Sequence, residues 1–203
     1  MTRGASGPGA AAARRLAGRG VEIDATFTTE RAAHGQEWVL INCTGTGNTV
    51  KTAGRDKAAG AVRHSPLLKF NRIVQINFLG TLRYVAKSAA GMLLPDLLAD
   101  GERDAVANSV SVAADDGQMT QAAHVASKAD MVRMTLPIAR GPMGASLRIN
   151  VIRSGIFATP LLDGAAEKAK SALAASVALP KRLGDPLEDA PLAEIMPTIA
   201  SAL

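Results

Sequence analysis

Three short apolar runs separated by helix-length stretches limit the fold of this chain more than any other feature. They are Val39-Leu40-Ile41-Asn42-Cys43, closed by Thr44-Gly45; Ala105 to Val112; and Leu147 to Ile152. Runs of this length, bounded by turn residues, read as strands of a buried sheet. Pro66 to Leu98 lies between the first two and reads as one long helix or two consecutive ones, with Asn77 and Gly80 near the middle. Gln121 to Arg140 lies between the second and third and reads as a strong helix. Strand and helix in alternation make βαβ units, and βαβ units make a parallel sheet. The expected fold is therefore α/β: a three-layer αβα arrangement around a mostly parallel sheet.

The rest of the chain fits one domain over its 203 residues. Gly4-Ala5-Ser6-Gly7-Pro8-Gly9 is a glycine-rich turn that leads into an alanine-rich helix from Ala10 to Gly18. Val21-Glu22-Ile23-Asp24 reads as a short strand, expected to pair parallel with Val39–Cys43 and cover its edge. Thr28 to Gly35 reads as a short helix and Thr46 to Ser65 as a long polar loop. A helix from Ala165 to Val177 and another from Pro186 complete the chain.

Composition removes several functions. Cys43 is the only cysteine, so no internal disulfide forms. His34, His64 and His124 are scattered without metal-ligand spacing, and no metal site is expected. No apolar run approaches the roughly 20 residues of a membrane span. A net charge of +5 suits an anionic small molecule such as a dinucleotide or coenzyme A. No basic surface interleaved with aromatics is visible, since aromatics make up 3% of the chain, so nucleic acid is not an expected partner. The first twenty residues carry Arg3, Arg14, Arg15 and Arg19 and no acid. A transit peptide would look like that, but the glycine pattern in the same stretch favours a structural turn. The expected location is cytoplasmic, with the mitochondrial matrix as the alternative.

Two constellations carry chemistry. Glycines ahead of a helix let backbone N–H groups approach a pyrophosphate, and the helix N-terminus favours its charge. Without a strand before it, the glycine turn by itself reads more readily as a flexible terminus than as a phosphate-binding turn. The second constellation is more specific. Ser111 closes a strand, His124 begins a helix thirteen residues later, and Lys128 follows one turn on. Positions i and i+4 share a helix face. A hydroxyl, an imidazole and an ammonium would meet at the carboxyl edge of the sheet, where open α/β sheets bind ligands. The alternative is a histidine that packs the helix start beside a solvated lysine.

These segments resemble the short-chain dehydrogenase/reductase family, in family order. Thr2 to Gly9 resembles its Thr-Gly-x-x-x-Gly-x-Gly turn, and Asn42-Cys43-Thr44-Gly45 its Asn-Asn-Ala-Gly segment. Gln75 to Thr81 resembles Val-Asn-x-x-Gly-Thr, and Ser111 with His124-Val125-Ala126-Ser127-Lys128 resembles Ser…Tyr-x-x-x-Lys. Arg148 to Gly155 resembles the strand that leads to a Pro-Gly pair. Lys51-Thr52, Met134 to Arg140, Gly155 to Leu162 and Arg182 to Pro186 are similar to the type II 3-hydroxyacyl-CoA dehydrogenase branch, also described as 17β-hydroxysteroid dehydrogenases.

The resemblance implies a reduced Rossmann-type sheet, a nicotinamide cofactor (NAD, with NADP not excluded), and oxidation of a secondary alcohol to a ketone. It implies that Gly7 and Gly9 approach the pyrophosphate, Asp24 contacts the adenine, and Asn42 and Gly45 support the ribose side. Asn77 would hold a relay water, Ser111 the substrate oxygen, Lys128 the nicotinamide ribose and Thr159 the carboxamide. It also implies a homodimer built on the two long helices, whose Ala126, Ala129, Met131, Met134 and Leu136 read as an apolar surface.

The chain departs from the pattern at several points. His124 stands where the family has its catalytic tyrosine; Arg3 replaces a glycine of the turn and Ser154 the proline before Gly155. The usual first strand, a strand-helix pair after the first helix, and the last strand have no counterpart in residues 1–203. Two functions are therefore expected in parallel. One is an NAD(P)-dependent oxidoreductase acting on a 3-hydroxyacyl-CoA or hydroxysteroid with weakened activity. The other is a non-catalytic relative that serves as a scaffold or interaction subunit.

Overall fold

In the computed structural model of the protein, residues 20–56, 60–97, 101, 103 and 105–195 are described. The glycine turn with Gly7 and Gly9 and the helix expected over Ala10 to Gly18 lie outside them. The elements run α1 (Gly20–His34), β1 (Val39–Asn42), β2 (Ala53–Arg55), β3 (Val62–His64), α2 (Leu67–Val74), a π-turn (Gln75–Leu79), α3 (Gly80–Met92) and β4 (Ala105–Ser109). They continue with α4 (Ala122–Arg140), β5 (Arg148–Ile152), α5 (Glu167–Ser176) and α6 (Pro186–Ile195).

The sheet is parallel, in the order β1-β4-β5. Val39 aligns with Ala105 and Asn42 with Asn108 across the first pair; Ala105 aligns with Arg148 and Ser109 with Ile152 across the second. Right-handed crossovers in one direction put the connecting helices on one face, and α2 and α4 pack against each other there. The core between them holds Val85 and Met92 of α3, Val106 of β4, Leu147, and Ile149 of β5. Leu40, Ala89, Ile138 and Ala139 close around it. A chain this poor in aromatics fills its interior with aliphatic and methionine side chains, and Met92 and Met131 are its largest fully buried residues. The result is the Rossmann-type α/β arrangement, a mostly parallel sheet flanked by helices.

Two expectations are corrected. Val21–Asp24 is not a strand and does not pair with β1; it belongs to helix α1. The β-branched residues at 21 and 23 suggested a strand, but Ile23, Phe27 and Arg31, spaced by four, form one helical stripe. Ile23 is buried, Phe27 packs on Tyr84 of α3 at 6.0 Å between ring centroids, and the Arg31 guanidinium lies 4.9 Å over the Phe27 ring. Arg31 also forks onto Glu37 at 2.6 and 2.8 Å. Packing along that stripe overrides local strand preference. Among the described residues, β1 is therefore an edge strand, with Val39 and Trp38 exposed.

The long loop expected over Thr46 to Ser65 carries a two-stranded antiparallel hairpin, with Ala53 opposite His64 and Arg55 opposite Val62. The expected helix over Pro66 to Leu98 is continuous from Leu67 to Met92, with a π-turn over Gln75–Leu79 in its middle.

Candidate active site

The carboxyl ends of the three parallel strands gather the residues singled out above. Asn42 ends β1 and is buried. Its side-chain oxygen accepts the Thr44 N–H at 3.0 Å, which turns the chain sharply after the strand, and its amide reaches Asn108 of β4 at 3.4 Å. The turn brings Gly45 over the end of α4. A Cβ at Gly45 would lie 3.1 Å from Lys128 Nζ, and one at Gly47 3.6 Å from His124 Nδ1. The close approach is at Gly45, where a side chain would press on Lys128; the contact at Gly47 is an ordinary one that a Cβ could make.

Asn77 sits in the π-turn, fully buried. Its amide pairs both ways with the backbone of one residue: Oδ1 accepts the Thr46 N–H at 2.8 Å, and Nδ2 donates to the Thr46 carbonyl at 2.9 Å. The second Nδ2 hydrogen goes to Ser127 Oγ at 2.9 Å, and Ser127 donates in turn to the His124 carbonyl at 2.8 Å. Both donor hydrogens of Asn77 are thus used on protein, which leaves only an acceptor lone pair of its side chain for a relay water. The π-turn supplies this orientation: one extra residue in the helix rotates Asn77 inward, a device common at functional sites.

His124 and Lys128 share the buried face of α4. His124 Nδ1 lies 3.2 Å from the Thr46 carbonyl oxygen. Burial holds the imidazole below its ordinary 6.5; the Thr46 carbonyl opposes that, and the Lys128 charge adds to it. Lys128 Nζ donates to the Ser109 carbonyl at 3.1 Å and so ties α4 to the end of β4. Burial pushes this ammonium from 10.5 down to about 8.

Strand β4 ends at Ser109, two residues before the expected Ser111. The ladder continues past it, since Val110 and Val112 N–H groups donate to the Ile152 and Ser154 carbonyls at 2.8 and 3.0 Å. Ser111 is extended and accepts the Ala113 N–H on its Oγ at 3.1 Å. Its own hydroxyl hydrogen has no acceptor among the described residues and is available to a bound oxygen. The turn after Ser111 packs on α4.

Other expected residues fall elsewhere. Asp24 is exposed on α1 and pairs with Lys87 at 2.9 Å. Lys87 lies ten residues along the helix from Asn77, roughly 15 Å at 1.5 Å per residue, so the structure does not bring Asp24 to the carboxyl edge. Thr159 is extended and stands just before a short turn over Pro160–Leu162, with no side-chain hydrogen bond to it. Ser154, in the place of a proline, donates its hydroxyl to Asp189 of α6 at 2.8 Å. Met131, expected on an apolar surface, is fully buried, whereas Leu136 is exposed.

Sequence reasoning missed Thr46 and Ser127. Thr46 acts through its backbone, which no side-chain pattern announces. Ser127 precedes Lys128 and faces inward on the same helix, so its periodicity was a usable signal.

A site for a nicotinamide ribose fits what is present: a buried ammonium, a glycine beside it where a Cβ would crowd the ammonium at 3.1 Å, and a strand-end asparagine that shapes the turn. The described residues include no group of acidic, histidine or cysteine side chains able to hold a metal, and no helix long and apolar enough to cross a membrane.

Comparison with known proteins agrees with this geometry. The family profile described as "short chain dehydrogenase" matches residues 20–170. The chain is 40% identical over 173 residues to the 3-hydroxyacyl-CoA dehydrogenase type-2 of Drosophila melanogaster, covering 85% of this chain and 66% of that protein. It is 34% identical to the Mus musculus protein of the same name over 228 aligned residues, covering 96% and 86%. Those aligned positions outnumber the 203 residues of this chain, so the mouse protein has internal residues without a counterpart here. A crystal structure of 3-hydroxyacyl-CoA dehydrogenase type-2 from Mycobacterium avium superposes with a TM-score of 0.78 at 27% identity, covering 90% of this chain and 69% of that one. With the parallel sheet, the Ser111–His124–Lys128 spacing and these matches in hand, the chain belongs to the short-chain dehydrogenase family of oxidoreductases.

Proposed function

We propose that the protein is a nicotinamide-dependent oxidoreductase of secondary alcohols, with NAD as cofactor and a 3-hydroxyacyl-CoA or hydroxysteroid as substrate. The observation that carries this reading is the buried network at the sheet edge, in which Thr46, Asn77, Ser127 and His124 are hydrogen-bonded and Lys128 is tied to Ser109 one turn away. Lys128 and Gly45 would hold the nicotinamide ribose, with Thr159 on the carboxamide and Gly7 and Gly9 on the pyrophosphate. Bound there, NAD supplies a hydride acceptor. Ser111 would donate its free hydroxyl hydrogen to the substrate oxygen. His124 would take the proton of the alcohol, since a buried imidazole beside an ammonium is neutral at pH 7 and has a lone pair to offer. Lys128, half or more protonated below pH 8, would keep a positive field on the developing alkoxide.

One observation favours a second reading. No phenol stands at position 124, and an imidazole places its nitrogen short of where a phenolic oxygen would reach. Losing a well-placed general acid–base costs on the order of 10²–10⁴ in rate. In this reading the fold survives as an interaction subunit, paired with its own copy through α2, α3 and α4. NADH binding by calorimetry or fluorescence decides between them. Binding, with NADH formed from a 3-hydroxyacyl-CoA or a 17β-hydroxysteroid, supports the oxidoreductase. A folded chain that binds no NADH supports the scaffold.

A further inference from the structure

The proton on His124 is assigned by its surroundings. The Thr46 carbonyl oxygen can only accept. It takes one hydrogen bond from Asn77 Nδ2 at 2.9 Å and faces His124 Nδ1 at 3.2 Å. The orientation of Asn77 is not open to a flip, because the Thr46 N–H must meet Oδ1 and the Thr46 carbonyl must meet Nδ2. Both lone pairs of the Thr46 carbonyl are thus committed to donors, and Nδ1 must be one of them. The other ring nitrogen, Nε2, has no hydrogen-bond partner among the described residues.

We propose that Thr46 fixes neutral His124 with its proton on Nδ1, so that Nε2 meets a ligand as an acceptor and the site prefers a hydroxyl to the matching carbonyl. This rests on the alcohol-oxidoreductase reading and goes beyond it, to the group the pocket recognises and the backbone atom that sets it. A tyrosine at this place carries an O–H and can donate to a ketone oxygen. Neutral His124 in this tautomer has no hydrogen to give at Nε2. A carbonyl oxygen there would face a lone pair, and the mismatch weakens binding by roughly tenfold.

The preference depends on pH through the ring. Elements packed on α4 carry Lys69 and Arg72 (around α2), Asp115 and Asp116 (after the Ser111 turn) and Arg148 (β5), and Lys128 lies one turn along α4 itself. Burial and the Lys128 charge act together to keep the ring neutral at pH 7. Below its pKa the ring gains a proton on Nε2, and a carbonyl ligand then finds a donor.

The test is nitrogen NMR on the full chain carrying His34→Gln and His64→Gln, two exposed positions, so that His124 is the one histidine signal. At pH 7.5 without ligand, Nε2 is expected as an unprotonated, pyridine-type nitrogen and Nδ1 as the N–H. An Nε2–H tautomer overturns the proposal. Saturating 3-hydroxybutyryl-CoA should shift the Nε2 signal and bind about tenfold more tightly than acetoacetyl-CoA, with the gap closing as the ring is protonated. Equal affinities at pH 7.5 also overturn it. His124→Asn keeps a donor near the Nδ1 place and removes Nε2; it should equalise the two ligands with little change in melting temperature. If neither ligand binds, the tautomer alone decides this proposal. The alcohol-oxidoreductase reading is judged separately by NADH binding.

Discussion

Asn77 and Thr46, thirty-one residues apart, exchange two hydrogen bonds, the side-chain amide of one matching the backbone N–H and C=O of the other at 2.8 and 2.9 Å. That pairing fastens the loop after β1 to the π-turn and sets the position of the carbonyl beside His124. Asn77→Ala would leave a buried N–H, a carbonyl lone pair and the Ser127 hydroxyl short of a partner. The expected loss is about 2–4 kcal/mol of stability, against about 1 kcal/mol for Ser127→Ala. Urea unfolding of both variants checks this; an Asn77→Ala midpoint within error of wild type would contradict the network.

Lys128 gives stability a pH dependence with a definite sign. In the unfolded chain its ammonium holds its proton up to about 10.5, and in the fold it gives it up near 8. Between those values the unfolded chain binds more protons, so rising pH favours the folded state. Lys128→Met should flatten that part of the stability curve while leaving stability near pH 7 unchanged or higher, because a buried charge has been removed. His124 acts at lower pH with the same sign. Its folded pKa is depressed, so its contribution is present above 6.5 and lost as pH falls through the folded value. Chemical denaturation at pH 5, 7, 8 and 10 of wild type, Lys128→Met and His124→Gln reads both effects.

His124→Tyr should raise kcat for alcohol oxidation by roughly 10² or more, the usual contribution of a placed general acid–base. Ser111→Ala added to it should remove the gain, since the substrate oxygen loses its donor. In wild type, oxidation should rise with pH as His124 loses its proton and level off near neutrality. NADH absorbance with a 3-hydroxyacyl-CoA follows all three. A folded His124→Tyr variant that binds NADH and stays inactive would show that the limiting defect lies elsewhere.

Assembly is tested by light scattering. Leu67 and Leu68 at the start of α2 and Leu136 late in α4 are exposed by 69, 80 and 56%, and α2 and α4 pack against each other. A homodimer through this region is expected at micromolar concentration. Leu68→Glu with Leu136→Glu should give a monomer; a clean wild-type monomer would refute the dimer.

Much of this architecture was legible in one dimension. Val39–Asn42, Ala105–Ser109 and Arg148–Ile152 announce themselves as apolar runs, Ala122–Arg140 as a helix between them, and alternation then leaves a parallel sheet as the way to bury all three strands. The i, i+4 spacing of His124 and Lys128 was legible as one helix face, but it was the resemblance to the family, and not periodicity, that singled them out with Ser111 as a site. Tertiary contact decided the rest. Val21 to Asp24 carries strand-forming residues but is helical, because Ile23, Phe27 and Arg31 gain a packed stripe on α3 and Glu37 that a strand would forfeit. The π-turn is invisible in sequence because it exists to aim Asn77 at a partner from another segment. Thr46 is invisible because its role is carried by backbone atoms, which every residue has and only the fold can place.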